Sequence, residues 1–197
     1  MTETIDFGAQ TQLVERLAEH TSEERMDAPT PCAEYAVRHL LGHLVGLTGA
    51  FRDAALKQLG PTTDTPPGAT MPEVTPDWRA ELDRNLAEMA AAWRTPEAWT
   101  GETQAGGIPL PGAIAGRIAL NELVLHGWDL ARATGQAYAP DAASLGVSFA
   151  LLTSWAEDSG GAPGPMFAPP VPVADDAPLL DRVVALSGRR PDWTPPK

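Results

Sequence analysis

Lysine is almost missing from this 197-residue chain: only Lys57 and Lys197 occur, against twelve arginines. The 14 basic residues are outnumbered by 26 acidic ones, for a formal net charge of −12. Phosphate backbones are gripped by clustered Lys and Arg, so this balance argues against nucleic acid as a partner. It excludes an anionic membrane surface for the same reason. Cysteine occurs once, at Cys32, which rules out a disulfide framework, a four-cysteine zinc site and a CxxC redox pair. The least polar long stretch, Ser144 to Ala156, is too short to span a bilayer. The opening MTETIDFGAQ lacks the basic-then-apolar layout of a secretory signal, so a soluble cytoplasmic protein is expected. A glycine-rich phosphate loop, a G-x-S-x-G elbow, an H-E-x-x-H pair and an EF-hand loop are also absent.

What is present is helical periodicity. Leu13, Val14 and Leu17 give residues 5–20 a helix pattern. After a loop over 26–32, Thr30 offers an N-cap with Pro31 at the first helical position. A second helix is expected over 33–59, with Val37, Leu40, Leu41, Leu44, Val45 and Leu47 on its apolar side. Residues 60–76 are rich in Pro, Thr and Gly and read as a mobile crossover loop with neither helix nor strand. A third helix fits 76–93, and a fourth fits 111–134 with Gly135 as its C-cap residue. Between them, 95–112 reads as irregular, with a short strand or turn at 104–111. A fifth helix fits 141–157 and a last short one 179–187. No convincing strand run appears. The expectation is an all-α bundle over residues 1–160, and a Pro/Gly-rich tail over 161–197 packed on it.

The histidines suggest where chemistry could sit. A helix advances about 100° per residue, so His43 shares a face with Ala36, Leu40, Leu47 and Ala50. His126 shares one with Ala115, Ile118, Ala119, Glu122 and Asp129. That second stripe is apolar except for three ionisable groups at spacings of four and three. A buried carboxylate is costly unless it is paired or holds a metal, and Glu122 and His126, one turn apart, can converge on one point. A third ligand from another helix would complete a two-histidine, one-carboxylate set that leaves positions open for water or substrate. Two readings stay open here: a metal site, or a Glu122–His126 ion pair beside a core histidine. Asp129 could orient a ligand or accept a proton. His39 looks nearer the bundle rim, and His20 complements the end of the first helix. Gly42, Gly46 and Gly49 suggest close helix packing, Cys32 a structural thiol, and Trp128 a core anchor or pocket wall.

Two blocks resemble a known family. Thr30-Pro-Cys-Ala-Glu-Tyr-Ala-Val-Arg-His-Leu-Leu-Gly-His43-Leu-Val-Gly is similar to the "TPCxxWxVRDLLxHLVG" block of the mycothiol-dependent maleylpyruvate isomerase family, within the DinB-like superfamily. Asn121-Glu-Leu-Val-Leu-His-Gly-Trp-Asp-Leu-Ala-Arg-Ala-Thr-Gly135 is similar to its "ExxxHxWDLARATG" block. The tail with Phe167-Ala-Pro-Pro-Val-Pro and Gly188-Arg resembles one subgroup, a short form without the isomerase's C-terminal domain. The resemblance implies a DinB-like four-helix bundle with one shorter helix added. It implies a divalent metal, zinc first, on His43, Glu122 and His126, with nickel, manganese or iron as other fits. It also implies mycothiol, the low-molecular-weight thiol of actinobacteria, as cofactor for isomerisation of, or S-transfer to, an electrophilic small molecule. The alternative is a non-catalytic metal-stabilised binding module. The chain departs from the family pattern at His39, where Asp is usual, and at Tyr35, where Trp is usual. Exposed apolar helix faces leave room for a homodimer.

Overall fold

A computed structural model describes residues 4–66, 68–158 and 168–196. Seven helices and one hairpin follow in the order α1 (Gly8–Glu19), α2 (Val37–Leu56), α3 (Pro61–Asp64), α4 (Trp78–Ala92), β1 (Glu102–Ala105), β2 (Ile108–Pro111), α5 (Gly112–Thr134), α6 (Ala142–Asp158) and α7 (Leu179–Leu186). Helices α1, α2, α4 and α5 form the bundle expected from the periodicity. Helix α5 is apolar on nearly every face and is accordingly buried on nearly every face. One side, with Ala115, Ala119 and Leu123, enters the core shared by α1, α2 and α4. The other, with Val124 and Leu125, packs on Leu145 and Leu152 of α6 and Val183 of α7. At the base of the bundle Trp93 stacks on Phe7 at 5.8 Å and meets Trp99 edge-on at 5.0 Å. The indole N–H groups of Trp93 and Trp99 donate to the carbonyls of Phe51 and Trp93, so no aromatic polar atom is stranded there. Among the described residues no helix is long and apolar enough to cross a membrane.

Several local expectations need correction. Helix α2 starts at Val37, four residues later than its periodicity suggests, because Thr30 does not cap it. Its hydroxyl instead donates to the carbonyls of Cys32 and Tyr35, closing the 31–35 segment as a turn behind a Pro29–Ala36 bridge. The helix also ends early, at Leu56, where Lys57 turns left-handed at φ 58°. The crossover contains the short helix α3, whose Thr63 is buried and whose Thr63 carbonyl accepts from the Gly107 amide at 2.8 Å. The region read as irregular holds a real antiparallel hairpin, with Glu102 opposite Pro111 and Ala105 opposite Ile108. Gly106 and Gly107 at φ 60° and 76° make its two-residue turn, the conformation that matches strand twist. Gly135 closes α5 at φ 73°, as its position predicts. Of the Pro/Gly-rich tail read over 161–197, residues 161–167 and 197 lie outside the described residues. Between them the tail returns to the bundle, where the Val171 amide donates to the Ala185 carbonyl and Arg132 Nε to the Trp193 carbonyl at 2.9 Å.

The three glycines of α2 separate into different environments. A Cβ on Gly42 would lie 2.8 Å from the Glu73 backbone, one on Gly49 would touch Asn85 at 3.5 Å, and one on Gly46 would meet nothing within 4 Å. Gly42→Ala is therefore expected to cost about 1–3 kcal/mol by overpacking, whereas Gly46→Ala gains about 0.5–1 kcal/mol of helix propensity. Denaturant midpoints of the two variants should move in opposite directions.

Asp141 caps α6, its Oδ1 accepting from the Ala143 and Ser144 amides and its Oδ2 from the Ser144 hydroxyl. Burial opposes the charge, but these bonds outweigh it and hold the carboxyl below its usual range. A depressed folded-state pKa gives stability that is present above the unfolded value of about 3.9 and lost as pH falls through the folded value. Asp141→Ala should cost about 1 kcal/mol at neutral pH, and urea titrations of variant and native protein should converge in acid.

Candidate functional site

The apolar face that buries α2 against α5 also carries His43 inward, between Leu40, Leu44 and Leu47. From α5, Glu122 and His126 reach the same point, one turn apart on one face. Glu122 Oε2 lies 3.1 Å from His126 Nε2 and 3.7 Å from His43 Nε2. The two imidazole rings stand nearly perpendicular, 4.7 Å between centroids. One donor atom from each of the three residues falls within 4.8 Å of the other two, a cluster that could hold a metal ion. The structure thus brings together Glu122 and His126, paired by their spacing, with His43, the third position that the family resemblance implies.

Their electrostatics follow from burial and mutual contact. Burial alone would raise the Glu122 pKa, yet the contacts with His126 and His43 hold the carboxyl far below its usual range, so it is ionised. Burial lowers the His43 pKa, which keeps that imidazole neutral with a lone pair to offer. Burial opposes charge on His126 too, but bonds to Asp129 and Glu122 raise it to about 9. The His126 ring sits between two carboxylates, Nε2 toward Glu122 and Nδ1 donating to Asp129 Oδ2 at 3.0 Å.

Asp129 is fully buried one turn beyond His126. Its second partner is Arg189, which donates from Nε to Oδ1 at 2.8 Å and from Nη2 to Oδ2 at 2.9 Å. Against burial, this guanidinium and His126 hold the Asp129 pKa down. Both carboxylate oxygens are thus occupied, which suits the orienting part of the earlier expectation better than the proton-accepting part. The sequence marks Arg189 only within the Gly188-Arg pair of the tail and gives no sign of its partner, because Asp129 lies 60 residues away.

The remaining candidates lie around this cluster. His39 stays outside it: its Nδ1 accepts from the Ala36 amide at 3.2 Å, capping α2, and its Nε2 faces Glu73 at 3.3 Å. His20 donates from Nδ1 to the Arg16 carbonyl at the end of α1, as expected. The Tyr35 ring lies 5.7 Å from that of His43. The Cys32 thiol is pushed up to about 11 by burial and then by the Asp129 charge, so it stays a neutral thiol. Trp128 is a buried wall with the Arg132 guanidinium 5.9 Å above its ring.

Residues 7–131 match the model of the family described as mycothiol maleylpyruvate isomerase N-terminal domain. Uncharacterised proteins from two strains of Mycobacterium tuberculosis are each 27% identical over 169 residues, spanning 84% of this chain and 86% of theirs. The fold is similar to that of the mycothiol-dependent maleylpyruvate isomerase, with a TM-score of 0.62 and 19% identity over 95% of this chain and 92% of that one. A histidine-to-alanine mutant of that isomerase superposes with a TM-score of 0.63 and 19% identity over 91% and 85% of the two chains.

Asp129→Ala would leave the Arg189 guanidinium buried without its carboxylate. The expected loss is about 3–5 kcal/mol, as for a broken buried ion pair, and chemical denaturation checks it.

Proposed function

The chain belongs to the mycothiol maleylpyruvate isomerase N-terminal domain family, and on that premise we propose a thiol-dependent enzyme whose His43, Glu122 and His126 hold a divalent metal, zinc first. The observation that carries this reading is the convergence of those three side chains from α2 and α5. The donor set fits such an ion. Two imidazoles and one carboxylate suit zinc, and three protein ligands rather than four are the mark of a site that keeps a position for substrate. Glu122, already ionised, offsets the ion's charge inside an apolar bundle. His43, held neutral, needs to lose no proton to bind.

When bound, the metal and a thiol such as mycothiol supply a sulfur nucleophile at neutral pH, one that reversibly saturates an activated double bond and lets it rotate, or displaces a leaving group. The chain's own residues bind and orient. Asp129 holds the His126 ring by its Nδ1 proton. Tyr35 keeps its phenolic proton, since burial raises its pKa, and its ring stands beside that of His43. Burial holds Cys32 as a neutral thiol; in this reading the reactive sulfur is that of the family's thiol cofactor. The substrate is accordingly a small electrophile with an activated double bond or a leaving group, maleylpyruvate being the first to assay.

Metal analysis of protein purified without chelator tests the reading together with mycothiol-dependent turnover of maleylpyruvate and other electrophiles. His43→Ala and Glu122→Ala are expected to lose metal and activity together. Zinc should raise the melting temperature of the native protein and leave that of His126→Ala unmoved, because only binding to the folded state shifts the equilibrium. His20→Ala should behave as native. Turnover that is equal with and without metal would overturn the proposal.

A further inference from the structure

Arg189 stands just past α7 and yet reaches the heart of the bundle, and the reason is local. The Gly188 amide donates to the Ala185 carbonyl and the Arg189 amide to the Val184 carbonyl, the paired bonds of a Schellman C-cap. This cap needs a left-handed residue, and Gly188 supplies it at φ 78°, with the Ala168 carbonyl 2.6 Å from where a Cβ would stand. Helix α7 is itself seated on α5 and α6 through Val183. The Arg189 backbone therefore leaves a rigid platform in one direction only, and its side chain is nearly buried.

From there a single line of contacts runs into the triad. Arg189 Nη1 is tied to Ser187 Oγ at 3.2 Å, while Nε and Nη2 grip the two Asp129 oxygens at 2.8 and 2.9 Å. A carboxylate can rotate about the torsions that join it to the backbone; a two-point fork fixes its plane. Asp129 Oδ2 then accepts a hydrogen bond from His126 Nδ1 at 3.0 Å, and the opposite nitrogen of that ring faces Glu122 at 3.1 Å.

We propose that Arg189 is a positioning residue for the site: through Asp129 it sets the plane of the His126 ring, and so aims Nε2 at the point shared with His43 and Glu122. The segment after α7 is thereby part of the site rather than a cover over it. The consequence for metal affinity rests on the metal reading above; the consequence for the ring does not.

Proton NMR of the full chain reads the ring directly. The native protein should show a protected, downfield His126 ring N–H resonance. Arg189→Met should lose it, and its zinc or cobalt dissociation constant should rise roughly ten- to hundred-fold, the usual effect of removing such support. Arg132→Met, which cuts the other tie of the tail at the Trp193 carbonyl, should keep both the resonance and the affinity. Should Arg189→Met fail to fold, Arg189→Lys keeps the charge, loses the fork, and reads the same two quantities. A resonance missing from the native protein, or persisting in a folded Arg189 variant with native affinity, overturns the proposal. A resonance that depends on Arg189 in a protein that binds neither cation leaves the positioning role standing and overturns the metal reading.

Discussion

Everything around the site depends on the need to compensate two carboxylates buried on one helix. Glu122 and Asp129 are carried by α5, which has packed helices on both sides. Neither could stay ionised there alone, since the desolvation of a charge amounts to several kcal/mol. Each charge is answered by a group delivered from elsewhere in the fold: His43 from α2, and Arg189 from the segment after α7. His126 lies between the two carboxylates and couples them.

This coupling explains why outer elements are built as they are. Helix α2 must approach α5 closely enough for His43 to reach Glu122, so the chain entering it is held by a tight turn at 31–35 and a cap from His39. Gly42 lets the Glu73 backbone of the crossover lie against the same helix. On the far side, α6 and α7 bury Val124 and Leu125 and thereby set where the Schellman turn at Gly188 releases Arg189. Packing that looks remote from the site thus decides the orientation of a ring inside it.

Asn121, next to Glu122, carries a different strain. Its side-chain oxygen and nitrogen are buried, and neither has a hydrogen-bond partner among the described residues. An unsatisfied buried amide is costly, and its place one residue from the triad shows how much polar material α5 carries into an apolar setting.

The sequence by itself determined the long helices and the pairing of Glu122 with His126. An amphipathic stripe is a local property, and a spacing of four puts Glu122 and His126 on one point whatever surrounds them. The apolar face around His43 turned that residue toward the core for the same reason. Tertiary structure alone decided what answers Asp129, because a contact across 60 residues leaves no periodic trace in the chain. It also decided that His39 caps a helix, since the start of α2 depends on a turn whose hydroxyl could equally have been an N-cap. The hairpin at 102–111 was obscured likewise. Four-residue strands carry little periodicity, and these are held by a glycine turn and by the Thr103 hydroxyl, which donates to the Ala54 carbonyl of α2 at 2.6 Å. Local pattern fixes which residues face inward; only closure of the chain decides which of them meet.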